Sequence, residues 1–172
     1  VPALGEVELS ELLDQLAAAP PSQPYAEDVV ALCQHFASRL LTDPMARAHP
    51  ELMTLGFFMR KAELVRGKRE FESKLAAEVV AVPSGLVFHV PPANVDTIFM
   101  YSWLLSVLAG NANIVRLSSR PSLTVDHLCR LLATVLAEPA HADARARVAM
   151  IQYGHDAAIT AAISARADLR IV

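Results

Sequence analysis

Apolar positions in the first 78 residues recur at helical spacing, while later ones switch between the period of a strand and that of a helix. Val29, Cys33, Phe36 and Leu40 share one stripe, and Leu52, Leu55, Met59 and Ala62 share another. Pro20, Pro21, Pro24, the Asp43-Pro44 pair and Pro50 punctuate these stripes, which predicts helices near 8–19, 25–42 and 50–75. Beyond them the pattern predicts strands at Val79–Val82, Leu86–Val90, 113–117 and 148–152, with another from Leu169 onward. Helices are predicted between them at 96–109, 121–137 and 156–166. Alternation of strand and helix from Leu86 onward implies an α/β fold: a parallel sheet with right-handed crossovers and helices on both faces, preceded by an N-terminal helical segment. Charge density agrees with a division into 1–78 and 79–172, since the first part has 20 charged residues in 78 positions and the second 13 in 94. Leu169, Ile171 and Val172 look like the start of a buried strand, so the chain is expected to be a fragment truncated at its C-terminal end.

The stretch from Gly85 to Arg120 concentrates the candidate chemistry. Leu86 to Val90 run into Pro91 and Pro92, which have no N–H for a sheet ladder and end the strand. Asn94 follows immediately. Its amide is placed either to donate toward a developing oxyanion, aided by the positive end of the next helix, or simply to cap that helix near Val95 or Asp96. Gly110-Asn111 supplies a residue pair tolerant of left-handed backbone to close the helix, and Ile114, Val115 and Leu117 then alternate with Arg116 and Ser118 as the next strand. Ligands of open parallel sheets bind beyond the carboxyl ends of the strands, where Asn94 and Arg116 to Arg120 are expected. With Pro121 at the first helical position, Arg120 becomes the capping residue and leaves backbone amides short of an acceptor. Free amides, Ser118, Ser119 and two guanidinium groups read as either a phosphate site or a solvated surface turn.

Composition narrows the function classes. A net charge of −3 offers no basic field for nucleic acid. Mean hydropathy is positive at +0.34, yet the apolar run from Ile98 to Ala109 is too short to span a bilayer and reads as a buried helix. Cys33 and Cys129 lie on separate helical stripes with no metal-ligand spacing, so neither a disulfide framework nor a zinc motif is expected, and a reducing cytoplasm fits. The first residues lack the basic and apolar regions of a secretory signal.

Other polar residues read as structural. His89 lies inside a strand and is expected to be a hydrogen-bonded core or edge residue. Gly154-His155-Asp156 reads as a turn and helix cap at a third strand exit. His127 and Cys129, two apart on a helix, face different sides, and Tyr101 and Trp103 are expected in the core. No Ser-His-Asp set, H-E-x-x-H, Walker loop or G-x-G-x-x-G fingerprint is present.

Two blocks, GLVFHVPPANV and LAGNANIVRLSS, resemble the aldehyde dehydrogenase superfamily, and the Arg with paired Ser is most similar to its LuxC-like acyl-CoA reductase branch. The likeness extends over about residues 50–172, including HPELMTLGFFMRKA and ADLRIV. It implies a Rossmann-like cofactor domain, homo-oligomers, and reduction of an acyl thioester to an aldehyde by NADPH through an acyl-cysteine. It also implies Asn94 as the oxyanion-stabilising amide, and Pro91, Arg116, Ser118, Ser119, Arg120 and Gly154 as cofactor contacts. Arg116 stands where the superfamily has a ribose-contacting lysine, and Ser119 replaces a glutamate of NAD-preferring relatives. Losing that carboxylate removes repulsion toward a 2′-phosphate, hence NADPH. The nucleophilic cysteine is expected downstream of this chain, making the fragment inactive alone. Two alternatives stay open: an aldehyde or acyl-phosphate dehydrogenase, and a non-catalytic interaction module.

Overall fold

The computed structural model describes residues 8–172. Four strands, β1 (Leu86–His89), β2 (Ala112–Leu117), β3 (Val148–Gln152) and β4 (Leu169–Ile171), form one all-parallel sheet in the order β3-β2-β1-β4. The chain thus moves outward through β1, β2 and β3, then returns to place β4 on the other side of β1. That reversal is the switch point of a doubly wound sheet. Phe88 pairs with Ile114 and Arg116 with Ile151, so β1, β2 and β3 leave the sheet along one edge.

The central strands are buried on both faces, and packing partners tell the faces apart. Leu86, Phe88, Ala112, Ile114 and Ala149 pack with Leu12, Leu13 and Leu16 of α1 (Leu9–Ala18) and Ile163 of α9 (Ala157–Arg166). Val115, Val148 and Met150 point the other way, toward α2 (Glu27–Thr42), α6 (Ile98–Leu108) and α7 (Leu123–Leu136). The N-terminal helices therefore cover both faces: α1 lies beside α9, where Arg166 pairs with Asp14, while α2 packs on α6 and α7. Helix α6 is apolar nearly all round because the sheet takes one side and other helices take another. Met100, Trp103 and Leu104 are fully buried, each contributing about 1.5–3 kcal/mol by leaving water. Tyr101 is only partly buried, edge-on to Phe58 at 5.3 Å.

Several expectations need correction. The helix expected over 50–75 is broken into α4 (Pro50–Phe58) and α5 (Lys61–Ser73), separated by Met59 and Arg60. A short α3 (Pro44–Arg47) precedes it, capped by Asp43 through the Ala46 amide, and His127 holds the same carboxylate at 2.9 Å. Val79–Val82 is not a strand. The segment has strand composition but no ladder partner among the described residues, and Val80 is 83% exposed. Leu169, Ile171 and Val172 are not buried either: β4 is an edge strand whose second side has no partner among the described residues. Between α7 and β3 a 3₁₀ turn (Pro139–His141) and α8 (Ala142–Arg145) occupy a stretch with no predicted element.

The link from α6 to β2 demands glycine at one point. Gly110 has φ +88°, and a Cβ there would lie 2.0 Å from the carbonyl oxygen of Ser22, whose own N–H donates to the Gly110 carbonyl at 3.1 Å. Gly110→Ala is therefore expected to destabilise the fold by about 1–3 kcal/mol, read as a lower denaturant midpoint. An unchanged midpoint would show that the Ser22–Gly110 contact is not held in solution.

Candidate active site at the carboxyl edge of the sheet

β1 and β2 are locked together by side chains inside the sheet face that meets α6. Asn113 Nδ2 donates to the Asn111 carbonyl at 2.8 Å, leaving Oδ1 to face His89 Nε2 at 3.0 Å. Nε2 is thereby the donor, and Nδ1 accepts from the Ser102 hydroxyl at 2.7 Å. One neutral imidazole thus ties β1 to β2 and to α6. His89 is fully buried, and desolvation holds its pKa below the ordinary value, partly opposed by the bond to Asn113. The core role expected for this residue is what the structure has.

Above this network, Pro91 and Pro92 carry the chain off the edge into the turn containing Asn94. Asn94 is exposed and does not cap α6, which starts at Ile98 with Thr97 as its capping position. The cap reading is corrected: three residues, Val95 to Thr97, separate Asn94 from the helix, beyond the reach of a capping side chain. Asn94 and Arg116 nonetheless leave the sheet at the same edge, because their strands are adjacent and parallel.

Arg116 emerges on the α9 face. Its guanidinium lies 4.8 Å from the centre of the Tyr153 ring, and Nη2 donates to the Gly154 carbonyl at 3.1 Å. Its Nε is buried and lacks a hydrogen-bond partner among the described residues. A buried unsatisfied donor is costly unless something else accepts from it. A small cleft of about 20 Å³ is lined by Pro91, Pro92, Asp96, Phe99, Arg116 and Ser118.

Arg120 is not the cap of α7. Ser122 caps the helix, accepting from the Val125 amide at 3.2 Å, so that amide has the side-chain acceptor that the reading of Arg120 as the cap denied it. The longer turn is held by Asp96, whose two oxygens accept from Arg120 Nη2 at 2.7 Å and from the Ser122 hydroxyl at 2.6 Å. Ser118 Oγ accepts from the Arg120 amide at 3.1 Å, and the Ser118 carbonyl accepts from Gln152 at 2.7 Å. Ser119 is exposed at the tip. Pro91, Arg116 and Ser118 therefore share the cleft, Gly154 and Arg120 attach to its border, and Asn94 lies outside its lining. Asp156, as expected of that turn, caps α9 through the Ile159 amide at 3.0 Å.

Asp96 and Tyr153 escaped sequence reasoning. An acid in a loop and a tyrosine after a strand carry no spacing signal, and only the adjacency of three strand exits gives them partners. A second cavity of about 520 Å³ was equally invisible. It lies at the opposite edge, between Tyr25, Lys68, Phe71 and the Val79–Pro83 segment. Burial pushes the Cys33 thiol up to about 12 and Cys129 up to about 11, the latter raised further by Asp126.

A family model described as acyl-CoA reductase (LuxC) matches residues 61–172. The chain belongs to that family. Membership in this acyl-CoA reductase family supports a fatty acyl reductase kind of function and implies an acyl thioester substrate. A search of curated proteins found no match. Among the described residues no helix is long and apolar enough to cross a membrane.

The neutral state of His89 has a pH signature. The unfolded chain takes up a proton on this histidine below about pH 6.5, whereas the native imidazole resists it, so stability is full above that pH and declines as pH falls. The slope from this one group reaches up to about 1.4 kcal/mol per pH unit. Urea titrations between pH 8 and 5 should show a steeper loss in the wild type than in His89→Gln, and parallel curves would refute the assignment.

Proposed function

We propose that this chain is the N-terminal, cofactor-domain portion of an NADPH-dependent acyl-CoA reductase, with residues 1–78 as a helical segment and 79–172 as the cofactor-binding part. The observation that carries the reading is the Arg116 guanidinium: anchored by Tyr153 and Gly154 at the carboxyl edge, with its Nε buried and unpartnered. Such a donor fits an anionic or hydroxylic group of a nucleotide, and the cofactor, when bound, supplies hydride to the acyl carbon. Arg116 would hold the adenosine end. Ser118 lines the cleft and Pro91 bounds it on the β1 side, and exposed Ser119 beside them would meet the cofactor without adding negative charge.

Arg120 has a more constrained role. Its charge is shared with Asp96, and that carboxylate is already satisfied by Arg120 and Ser122. The pair would orient the β2–α7 turn, with Arg120 free to turn toward a 2′-phosphate because the contact is exposed and weakly held. Asn94, exposed on the β1 turn, would direct its amide at the thioester carbonyl as negative charge develops on the oxygen. The acyl-accepting cysteine would lie outside this chain, consistent with two thiols that burial keeps protonated at neutral pH. The parent protein is proposed to be cytoplasmic and homo-oligomeric.

Calorimetry should give tighter binding of NADPH than of NADH, and Arg116→Gln should weaken NADPH roughly tenfold or more, the scale of one charge-assisted contact. Equal or reversed preference in the wild type would defeat the cofactor assignment. Thioester reduction by this chain alone is expected to be absent, and turnover abolished by Cys33→Ser or Cys129→Ser would overturn the placement of the nucleophile.

A further inference from the structure

At the entry edge of the sheet, away from the strand exits, three side chains from two elements meet. Helix α7 begins beyond the exit of β2 and runs back to deliver the chain to the start of β3, so the 3₁₀ turn after it lies at this opposite edge. There His141 Nε2 faces Nδ1 of His35, on α2, at 3.0 Å, and a Glu138 oxygen lies 3.5 Å from His35 Nε2. The three residues offer ligand atoms within 4.8 Å of one another.

Glu138 immediately precedes the turn and His141 ends it. A 3₁₀ helix has three residues per turn, so this Glu-x-x-His spacing brings carboxylate and imidazole to one side. His141 is 6% exposed, and its Nδ1 is buried without a hydrogen-bond partner among the described residues. Its ring orientation is therefore set largely through Nε2, at the gap it shares with His35. Two nitrogens bound to one tetrahedral zinc ion at about 2.0–2.1 Å stand about 3.3 Å apart, so a few tenths of an ångström separate the pair from a ligating geometry.

We infer that His35, Glu138 and His141 form a binding site for one divalent transition-metal ion, with Zn²⁺ the best match to two imidazoles and a carboxylate and with water completing the set. Both imidazoles ligate in the neutral form. The hydrogen now between them passes to the outer nitrogen of its own ring, and no other group need change protonation. The ion would staple α2 to the α7–β3 connection, a seam that Arg147 already closes by donating to Asp28 at 2.8 Å. Its place at the far edge of the sheet makes it a structural site, independent of the reductase reading.

Zn²⁺ titration of the whole chain in competition with a chromophoric chelator is expected to give one equivalent, with the melting temperature rising as zinc is added. His35 and Glu138 have side chains 29% and 48% exposed, so His35→Gln and Glu138→Gln should keep the native circular dichroism. Each should weaken zinc binding roughly tenfold or more, no less than loss of a supporting residue costs. His49→Gln, which removes the exposed His49–Glu51 pair, should leave binding unchanged. Co²⁺ in place of zinc should give the visible spectrum of a tetrahedral ion. Absence of stoichiometric binding, equal affinity in His35→Gln, or an equal loss in His49→Gln would overturn the site.

Discussion

A single buried imidazole fixes the relation between the two strands that bear the candidate site. His89 donates to Asn113 and accepts from Ser102, which requires one tautomer, and Asn113 in turn spends its amide hydrogens on the Asn111 carbonyl. A slip of β1 against β2 would leave several buried polar groups unpaired, each costing about 1–3 kcal/mol. Ordinary apolar pairs such as Phe88 and Ile114 tolerate repacking far better than such a network does. The register so held sends Pro91 and Arg116 off the sheet side by side, and everything proposed for the site depends on that adjacency.

Asp96 does for the loops what His89 does for the strands. It binds Arg120 and Ser122, so the β1–α6 and β2–α7 connections are tied above the edge while Arg116 is left to Tyr153 and Gly154. The two arginines, close in sequence, thereby acquire different tasks. Arg120 is held by a carboxylate in solvent-exposed surroundings, where the pair is weak and exchangeable. Arg116 is held by a ring face and a carbonyl, neither of which neutralises it, and its Nε remains for another acceptor. In the cofactor-binding role proposed for it, Arg116 would thus be preorganised by its own protein.

Legibility in the sequence followed the range of the interactions involved. Helices α1, α2, α6, α7 and α9, and the strands β1, β2 and β3, were readable because apolar period and proline punctuation are local. The position of Arg116 at a strand end was readable for the same reason. Val79–Val82 misled because valines signal a strand without saying whether a neighbour exists to complete the ladder, and none does among the described residues. Arg120 as a cap misled because Pro121 is compatible with the first helical turn, yet Ser122 one residue later offers a better acceptor and Asp96 rewards it. Asn94 as a cap failed through a loop longer than the minimum.

Periodicity and punctuation by themselves determined an α/β chain with a parallel sheet, helices on both faces and polar residues at strand exits, because strand and helix periods are set by neighbours a few residues apart. Motif likeness alone pointed to the acyl-CoA reductase family, to which residues 61–172 are matched. Tertiary structure decided the order β3-β2-β1-β4, the split of the N-terminal helices between two faces, the neutral His89 bridge and the differing fates of the two arginines. It also decided that His35 should meet His141 across 106 positions of chain. Each of these rests on contacts between segments far apart in sequence, whose pairing depends on how all the apolar stripes are buried together and not on any one of them.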